Sequence, residues 1–299
     1  MYILDGIVSK LEYVLTNPSV KQIFLATDET QFGRFGTSDQ YLLLSDDNKL
    51  KLYNINGQLI DEYSGLHEYS EYVGYIQSII WCECLQQFFI LCQYYLYAFT
   101  PCGRTKLINM QKIHYIDKYY SEEDFRYISC TKKYAFINYS YHRIIQFNIP
   151  QWSHFREWSK WKLNYQESDE IRRITCSATN DYIVLNVRLD KCQWVVDFRR
   201  INNNLTVLKR IEEPGVSIRH KLQLSAFEWL VSTDDQQFCV FNYLKDESNV
   251  KIVETNIKSE GAIYPRFFGD YLLVPIITKE ENNASNIQHR GVIHFYKWK

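Results

Sequence analysis

The side chains of this 299-residue sequence that could bind a metal or act as nucleophiles are scattered along the chain. The segment "CEC", with Cys82 and Cys84, comes closest to a metal motif, but no second cysteine pair follows at the spacing of a zinc site. No Gly-x-Ser-x-Gly motif, phosphate-binding loop or dinucleotide fingerprint occurs. The sequence therefore predicts no catalytic residue, no metal and no cofactor, and it leaves open whether the protein is an enzyme.

Two acidic pairs, Asp46-Asp47 and Asp234-Asp235, occur in the similar segments "SDDN" and "STDDQQ". One interpretation is that their carboxylates surround a channel mouth and hold Ca²⁺ or a basic partner, which requires several acids to converge. The other is turn chemistry, because Asp and Asn side chains accept hydrogen bonds from nearby backbone amides and tolerate unusual φ angles. The choice depends on the elements that carry these residues.

Those elements repeat along the chain. The segment "KLKLYNING" (49–57) aligns with "YLYAFTPCG" (95–103) at an offset of 46, and "YLLLS" aligns with "QFFIL" at the same offset. Six such hairpins carry an aromatic anchor in their second strand, at steps of 46, 48, 51, 43 and 54 residues: Tyr53, Phe99, Phe147, Phe198, Phe241 and Phe295. A further apolar run precedes each hairpin and another follows most of them, which gives four strands in each unit.

Four-stranded units at this period predict an all-β fold, a β-propeller. One four-stranded sheet cannot cover both of its apolar faces, whereas sheets packed face to face around an axis cover all of them. We predict six blades in a single domain, with seven as the alternative, and no helix of ordinary length. The predicted blades span approximately residues 31–65, 74–115, 123–165, 170–213, 218–257 and 262–299.

The sixth unit reaches Lys299 after only three strands, so its fourth strand must come from elsewhere. Two strand-like runs precede the first unit, "SKLEYVL" (9–15) and "KQIFLAT" (21–27). We expect one of them, within residues 9–27, to pair with the last blade, because this pairing joins the two ends of the chain and removes an open sheet edge. The second run is the reason that seven blades remain possible.

The segment "KLKLYNINGQ" resembles the third strand of WD40-type repeats, in which an aromatic–acid pair ends the strand before a turn glycine. Tyr53-Asn54, Phe147-Asn148 and Phe241-Asn242 occupy that place, although the chain contains no Trp-Asp dipeptide. The six-blade count and the Asn-Gly turn are also similar to NHL-type propellers. The resemblance implies a scaffold for protein–protein interaction, and some six-bladed propellers are calcium-dependent hydrolases, which keeps a site in the central channel as the alternative.

The charge balance and the composition limit the classes of partner that we expect for this protein. The 34 basic residues balance 35 acidic ones, so nucleic acid is not expected as the main partner. The N-terminal sequence lacks the basic and apolar regions of a signal peptide, and no apolar run is long enough to span a membrane. Most of the eight cysteines lie in apolar runs, as reduced thiols do. We therefore expect a monomeric cytoplasmic protein with no membrane partner.

The loops on one face of the predicted propeller are acidic and rich in tyrosine, as in "HEYSEY" (67–72) and "NYQESDE" (164–170). We expect this face to bind a basic segment of a protein partner. The candidate binding residues are all in these loops: Asp46, Asp47, His67, Tyr69, Tyr72, the acidic turn at Leu189 and Asp190, Asp234 and Asp235. The alternative interpretation is that these charges only keep the surface soluble.

A separate aromatic and basic segment, "PQWSHFREWSKWKLNYQ" (150–166), offers a weaker alternative function. Its tryptophans Trp152, Trp158 and Trp161 could stack on the bases of a single-stranded RNA while its basic side chains contact phosphates. The structural interpretation is an outer strand of the third blade, with the tryptophan rings covering the neighbouring blade.

Overall fold

The computed structural model describes most of the chain. The described residues are 2–25, 34–46, 49–63, 76–93, 95–101, 111–115, 125–177, 181–190, 193–202, 204–213, 218–223, 228–233, 238–242, 251–253, 257, 265–282 and 286–298. Within them the chain forms one α-helix, 24 strands and a short 3-10 helix.

The N-terminal elements and the first half of the chain follow in simple order. They are α1 (Tyr2–Thr16), β1 (Lys21–Phe24), β2 (Phe35–Thr37), β3 (Tyr41–Asp46), β4 (Lys49–Asn54), β5 (Leu59–Tyr63), β6 (Ile76–Cys82), β7 (Gln87–Cys92), β8 (Tyr95–Phe99), β9 (Gln111–Tyr115), β10 (Phe125–Cys130), β11 (Tyr134–Tyr139), β12 (Arg143–Asn148) and β13 (Ser153–Ser159). The 3-10 helix (Trp161–Leu163) follows β13 directly.

The second half continues the same pattern. Its strands are β14 (Glu170–Cys176), β15 (Tyr182–Arg188), β16 (Trp194–Arg200), β17 (Val207–Glu213), β18 (Ile218–Gln223), β19 (Glu228–Thr233), β20 (Phe238–Asn242), β21 (Lys251–Val253), β22 (Arg266–Phe268), β23 (Tyr271–Asn282) and β24 (Asn286–Lys297).

These strands form six four-stranded antiparallel sheets. Sheets 1 to 5 each contain four consecutive strands, beginning with β2, β6, β10, β14 and β18. Sheet 6 has the order β1-β24-β23-β22, so β1 supplies its outermost strand. Lys21 lies opposite Phe295 and Ile23 opposite Ile293 in this pairing, which joins the two ends of the chain as expected.

The packing of the sheets explains the apolar runs of the sequence. Second strands such as β3 are buried on both faces, so Leu42, Leu43 and Leu44 are all inaccessible to solvent. Leu43 belongs to the core that sheet 1 shares with sheet 2, and Leu42 to the core that it shares with sheet 6. Because each sheet packs between two neighbours, the β-propeller architecture is confirmed.

Six core clusters connect the sheets in sequence. Sheets 1 and 2, 2 and 3, and 3 and 4 share clusters of aliphatic and aromatic side chains. Trp229 of sheet 5 packs on Phe198 of sheet 4 with ring centroids 6.1 Å apart. Sheets 5 and 6 share the next cluster, and Phe268 and Phe295 of sheet 6 pack with Phe35 of sheet 1 in the last. The series of cores thus returns to its starting sheet.

The prediction of no ordinary helix is wrong, because the run at residues 9–15 lies in α1 rather than in a strand. Val8, Leu11, Val14 and Leu15 are spaced at the helical period and are buried against sheets 5 and 6. Tyr13, between them, is 72% exposed. The run has the apolar content of a strand. Its apolar residues share one face in a helix, whereas in a strand they would be divided between both faces.

A hydroxyl side chain fixes the turn between the first and second strands of three sheets. Tyr41 N donates to Ser38 Oγ at 2.9 Å, and Tyr134 N donates to Thr131 Oγ1 at 3.0 Å. Ser177 occupies the same place in sheet 4, where it accepts from Tyr182 N at 3.3 Å. The same turn chemistry therefore recurs in three of the repeats.

Candidate protein-interaction surface

The structure places only some of the candidate binding residues. Asp46 is fully buried, and Lys51 Nζ lies 2.6 Å from its Oδ2, so it is neutralised within sheet 1 and does not face a partner. The reason is that β3 is enclosed up to its last residue, and Lys51 in the adjacent strand reaches the carboxylate. Asp190 is exposed, in the turn that follows Leu189. The remaining candidates lie outside the described residues: Asp47, His67, Tyr69, Tyr72, Asp234 and Asp235.

The acidic loop at 164–170 is partly engaged within the protein. Asp169 is buried and accepts hydrogen bonds from Gln166 N at 2.7 Å and from Asp190 N at 3.1 Å. It therefore ties the connection between sheets 3 and 4 to the β15–β16 turn. Glu170 accepts from Arg188 at 2.7 Å and also pairs with Arg172. These two acids thus have structural partners.

The aromatic and basic segment is the outer strand of sheet 3, as its structural interpretation predicted. Trp158 is buried between sheets 3 and 4, whereas Trp152 packs edge-on against Phe89 of sheet 2 with ring centroids 4.8 Å apart. Trp161, in the 3-10 helix, is 55% exposed. The three rings occupy three different environments and do not form a continuous stacking surface for RNA.

An open groove of about 540 Å³ lies beside Trp161. The turn between β11 and β12, the end of β13 and the start of the connection to β14 form its walls. Its lining combines one exposed aromatic ring with charges of both signs: His142, Arg143, Glu157, Ser159, Lys160, Trp161 and Glu167. We refer to these seven residues as the sheet 3 groove.

Backbone contacts hold the sheet 3 groove in shape. Lys160 N donates to His142 O at 2.7 Å, and Lys160 O accepts from Tyr165 N at 3.0 Å. The Lys160 side chain is buried, donates to Glu167 O and lies with its Nζ 5.3 Å from the centroid of the Trp161 ring. Trp161 therefore stands on a fixed backbone, although its ring is exposed.

A buried ion cluster anchors the connection that carries the groove. Asp197 is inaccessible to solvent and accepts hydrogen bonds from Tyr165 at 2.5 Å, from Arg199 at 2.9 Å and from Arg210 at 2.7 and 2.8 Å. Arg199 also donates to Leu163 O at 2.8 Å. Burial raises the pKa of Asp197, but the hydrogen bonds from Arg210 and Tyr165 outweigh it and lower that pKa below its usual range.

Tyr141 connects the groove to the inner edges of sheets 3 and 4. Its φ of 61° is in the left-handed region, which is rare for a bulky residue and strained. The guanidinium carbons of Arg126 and Arg172 lie 4.9 and 4.5 Å from the centroid of its ring. Strained backbone recurs at functional sites.

The Cys82 and Cys84 thiols lie together, 3.4 Å apart, although the first is buried between sheets 2 and 3 and the second is exposed in the turn. Hydrogen bonds from Cys130 and Cys84 lower the pKa of Cys82 to about 7 against the opposing effect of burial. Partial desolvation, together with the hydrogen bond to Cys82, raises the pKa of the Cys84 thiol to about 11. Within the described residues, no group of three or more His, Cys, Asp or Glu side chains is arranged to hold a metal ion.

The fold is similar to solved propeller structures at low sequence identity. The Dos1 propeller has a TM-score of 0.53 and 14% identity, with 86% of this chain and 75% of that chain covered. A chain of a mitotic checkpoint complex has a TM-score of 0.60 and 8% identity over 95% of this chain and 92% of that chain. For the Cps50 (Swd1) β-propeller domain of Myceliophteria thermophila the TM-score is 0.57 and the identity 11%, over 90% and 84%.

These likenesses show that the chain has a β-propeller fold. No protein-family model matches its sequence, and no curated protein matches it either. Within the described part of the chain, no helix has both the length and the apolar character needed to cross a membrane.

Proposed function

We propose that this protein is a non-catalytic scaffold for protein–protein interaction and that its partner binds at the sheet 3 groove. The observation that carries the proposal is the exposed Trp161 ring, held on a fixed backbone beside an open groove. Tryptophan, tyrosine and arginine are the residues that most often dominate binding energies at protein interfaces. All three types occur here, because Arg143 lines the groove and Tyr141 adjoins it.

The partner segment that fits the groove is basic. Glu167 supplies a carboxylate for it, whereas Glu157 already pairs with Arg143 at 3.4 Å, and an exposed tryptophan ring attracts lysine and arginine side chains. This chemistry agrees with the acidic face expected from the sequence, but it moves the binding residues away from Asp46. Among the similar structures, one is a chain of a mitotic checkpoint complex, which supports a role in assemblies.

We further propose that residues 1–299 form one domain, a closed propeller of six blades. The six four-stranded sheets and the six shared cores that return to sheet 1 support this arrangement. We place the protein in the cytoplasm as a monomer. Each of the six cysteines that the structure describes is a free thiol, as is usual in reducing compartments.

The test compares variants of one surface in one assay. Proteins captured by the wild-type chain are quantified beside those captured by Trp161→Ala and Glu167→Lys, and the affinity of a captured partner is then measured by calorimetry. We expect each substitution to weaken binding at least tenfold, since a central aromatic residue at an interface contributes about 2 kcal/mol or more.

Tyr13→Ala is the matched control, because Tyr13 is an exposed aromatic residue of α1, which packs on sheets 5 and 6. It should leave binding unchanged. If Trp161→Ala binds the partner as tightly as the wild type, or if Tyr13→Ala weakens binding equally, the sheet 3 groove is not the interface.

A further inference from the structure

The first strands of three successive sheets end in a cysteine. These residues are Cys82 in β6, Cys130 in β10 and Cys176 in β14, so they occupy the same place in sheets 2, 3 and 4. The ends of these strands touch from sheet to sheet, because Cys130 Sγ lies 3.8 Å from Trp81 O and Cys176 N donates to Ser129 Oγ at 2.8 Å. This end of the three sheets therefore brings thiols of different repeats near one another.

Of these three residues, only Cys82 is followed by a second cysteine two positions later. Lys132 and Ala178 stand at the equivalent positions of sheets 3 and 4. Cys84 Sγ lies 3.4 Å from Cys82 Sγ and 3.7 Å from Thr131 O of sheet 3. The sulfur atoms of a disulfide are about 2 Å apart, so a movement of about 1.4 Å would join the two thiols. The sequence and the fold thus place a pair of cysteines within reach of a disulfide bond.

Hydrogen bonds hold the turn that carries Cys84 in a defined shape. Gln86 Nε2 donates to Glu83 O at 2.7 Å and to Glu83 Oε1 at 2.9 Å. Trp81 Nε1 donates to the other carboxylate oxygen of Glu83 at 2.6 Å, so this acid is engaged on both sides. The contact between the two thiols therefore belongs to a fixed turn between β6 and β7.

The two thiols differ in their access to solvent. Cys82 is inaccessible and belongs to the core between sheets 2 and 3, whereas Cys84 is exposed. Of this pair, a small oxidant in solution can therefore reach only the Cys84 sulfur directly. The hydrogen bond from Cys130, together with that from Cys84, lowers the pKa of Cys82 to about 7 against the effect of burial. Near neutral pH the buried thiol thus supplies a thiolate, the nucleophile of disulfide formation, in contact with the exposed thiol.

This arrangement has the parts that reversible thiol oxidation requires. An accessible cysteine is first oxidised to a sulfenic acid, and a neighbouring thiol then converts the sulfenic acid to a disulfide before it is oxidised further. Contact between the two sulfur atoms makes the second step intramolecular and therefore fast. In compartments that keep thiols reduced, such disulfides are usually transient and serve redox sensing or catalysis. An exposed cysteine without a partner would instead proceed to the irreversible sulfinic acid.

We propose that Cys84 and Cys82 form a reversible oxidation site for hydrogen peroxide. The Cys84 sulfur attacks one peroxide oxygen, the O–O bond breaks, and water leaves with the thiol proton, so Cys84 becomes a sulfenic acid. The Cys82 thiolate then attacks the Cys84 sulfur, the sulfur–sulfur bond forms, the sulfur–oxygen bond breaks and hydroxide leaves. The two sulfur atoms together lose two electrons, which the peroxide gains. A reduced small thiol restores the pair by thiol–disulfide exchange and is itself oxidised.

Oxidation changes the contact between sheets 2 and 3. In the reduced protein Cys84 Sγ donates to Thr131 O, and in the disulfide this sulfur has no proton to donate. The site follows a first strand, whereas the sheet 3 groove includes the turn between a second and a third strand, so the two lie at opposite ends of the sheets. The oxidation site therefore does not depend on that groove being an interface.

The experiment treats the reduced full chain with hydrogen peroxide and maps its thiols by mass spectrometry. Chymotrypsin cleaves after large apolar residues and should release residues 82–85, a peptide that contains both cysteines and no other. We expect this peptide to lose two hydrogen atoms on brief oxidation and to regain them with dithiothreitol. A second cleavage after Glu83 should leave the two halves of the oxidised peptide joined by the disulfide.

Two variants separate the roles of the thiols. In Cys82→Ala the sulfenic acid of Cys84, trapped with dimedone, should accumulate at least about tenfold above the wild type, because no thiolate converts it to a disulfide. Cys84→Ser changes an exposed side chain, so it should fold, and it should slow the oxidation of Cys82 at least about tenfold. Cys176→Ser is the matched control, because Cys176 ends the equivalent strand of sheet 4 without a second cysteine two residues later. It should form the disulfide as the wild type does.

Two results would overturn the proposal. One is oxidation of wild-type Cys84 to a sulfinic acid without a disulfide. The other is oxidation of Cys82 that is as fast in Cys84→Ser as in the wild type, including a disulfide from Cys82 to Cys130. Trp161→Ala should keep wild-type oxidation, so a failure of the groove as an interface is distinguishable from a failure of the oxidation site.

Discussion

Two regions of this molecule contain buried arginines whose neighbouring groups differ. Around Asp197, two guanidinium groups and the Tyr165 hydroxyl all donate to one buried carboxylate. In sheet 6, burial and the charge of Arg173 lower the pKa of Arg266 to about 10, and no carboxylate of the described residues pairs with it. Burying a charge costs free energy unless the charge is paired, so the ion cluster around Asp197 stabilises the fold by pairing its charges. The difference separates a paired ion cluster from a desolvated arginine.

Removing the carboxylate of the first region should have the largest effect. Asp197→Ala leaves Arg199 buried without its partner, and breaking a buried ion pair in this way costs about 3–5 kcal/mol of unfolding free energy. Chemical denaturation of the variant measures that loss. Asp270→Asn is the control, because Asp270 pairs with Lys297 at 3.4 Å on the exposed surface, where a pair contributes under about 1 kcal/mol. Equal losses for the two variants would contradict the comparison.

The same substitution at the two arginine sites should change stability in opposite directions. Arg199→Met removes donors to Asp197, Leu163 O and Leu205 O, and we expect it to lower the unfolding free energy by about 3 kcal/mol. Arg266→Met removes a desolvated charge that has no carboxylate partner among the described residues, and it should leave stability unchanged or raise it slightly. Denaturant titration checks both variants. A large destabilisation by Arg266→Met would show that this arginine has a structural partner.

Lowering the pH should reduce the stability that the Asp197 cluster contributes, by less than the substitutions above do. The pKa of Asp197 is lower in the folded protein than in the unfolded chain, so its contribution to stability is complete above the unfolded value of about 4. That contribution is lost as the pH falls through the lower folded value, because the protonated acid no longer pairs with the arginines. The wild type should therefore lose more stability below about pH 4 than Asp197→Asn does. Melting curves across this range measure the difference, and parallel profiles would argue against it.

Sequence periodicity predicted the propeller because each repeat is a local pattern. The runs "YLLL" and "FFIL" are enclosed by neighbouring sheets, and such burial requires apolar residues at every position. The strand at Lys21–Phe24 was also predictable, since the last unit lacked a fourth strand. The helix α1 was missed because a short apolar run fits either period, and only its packing on sheets 5 and 6 selects the helix.

The candidate site was less predictable. Asp46 was assigned to the surface, since nothing in "SDDN" indicates that Lys51 covers its carboxylate. The groove beside Trp161 combines residues from one turn, one strand end and one connection, which become neighbours only when sheet 3 forms.

The sequence by itself determined the four-stranded repeat, the burial of its second strands and the joining of the chain ends. Only the tertiary structure decided which charges meet. Tyr165 and Asp197 are 32 residues apart and belong to different repeats, so no local pattern relates them. Charges and hydrogen bonds act through space, and their pairing depends on which strands and connections the fold brings side by side.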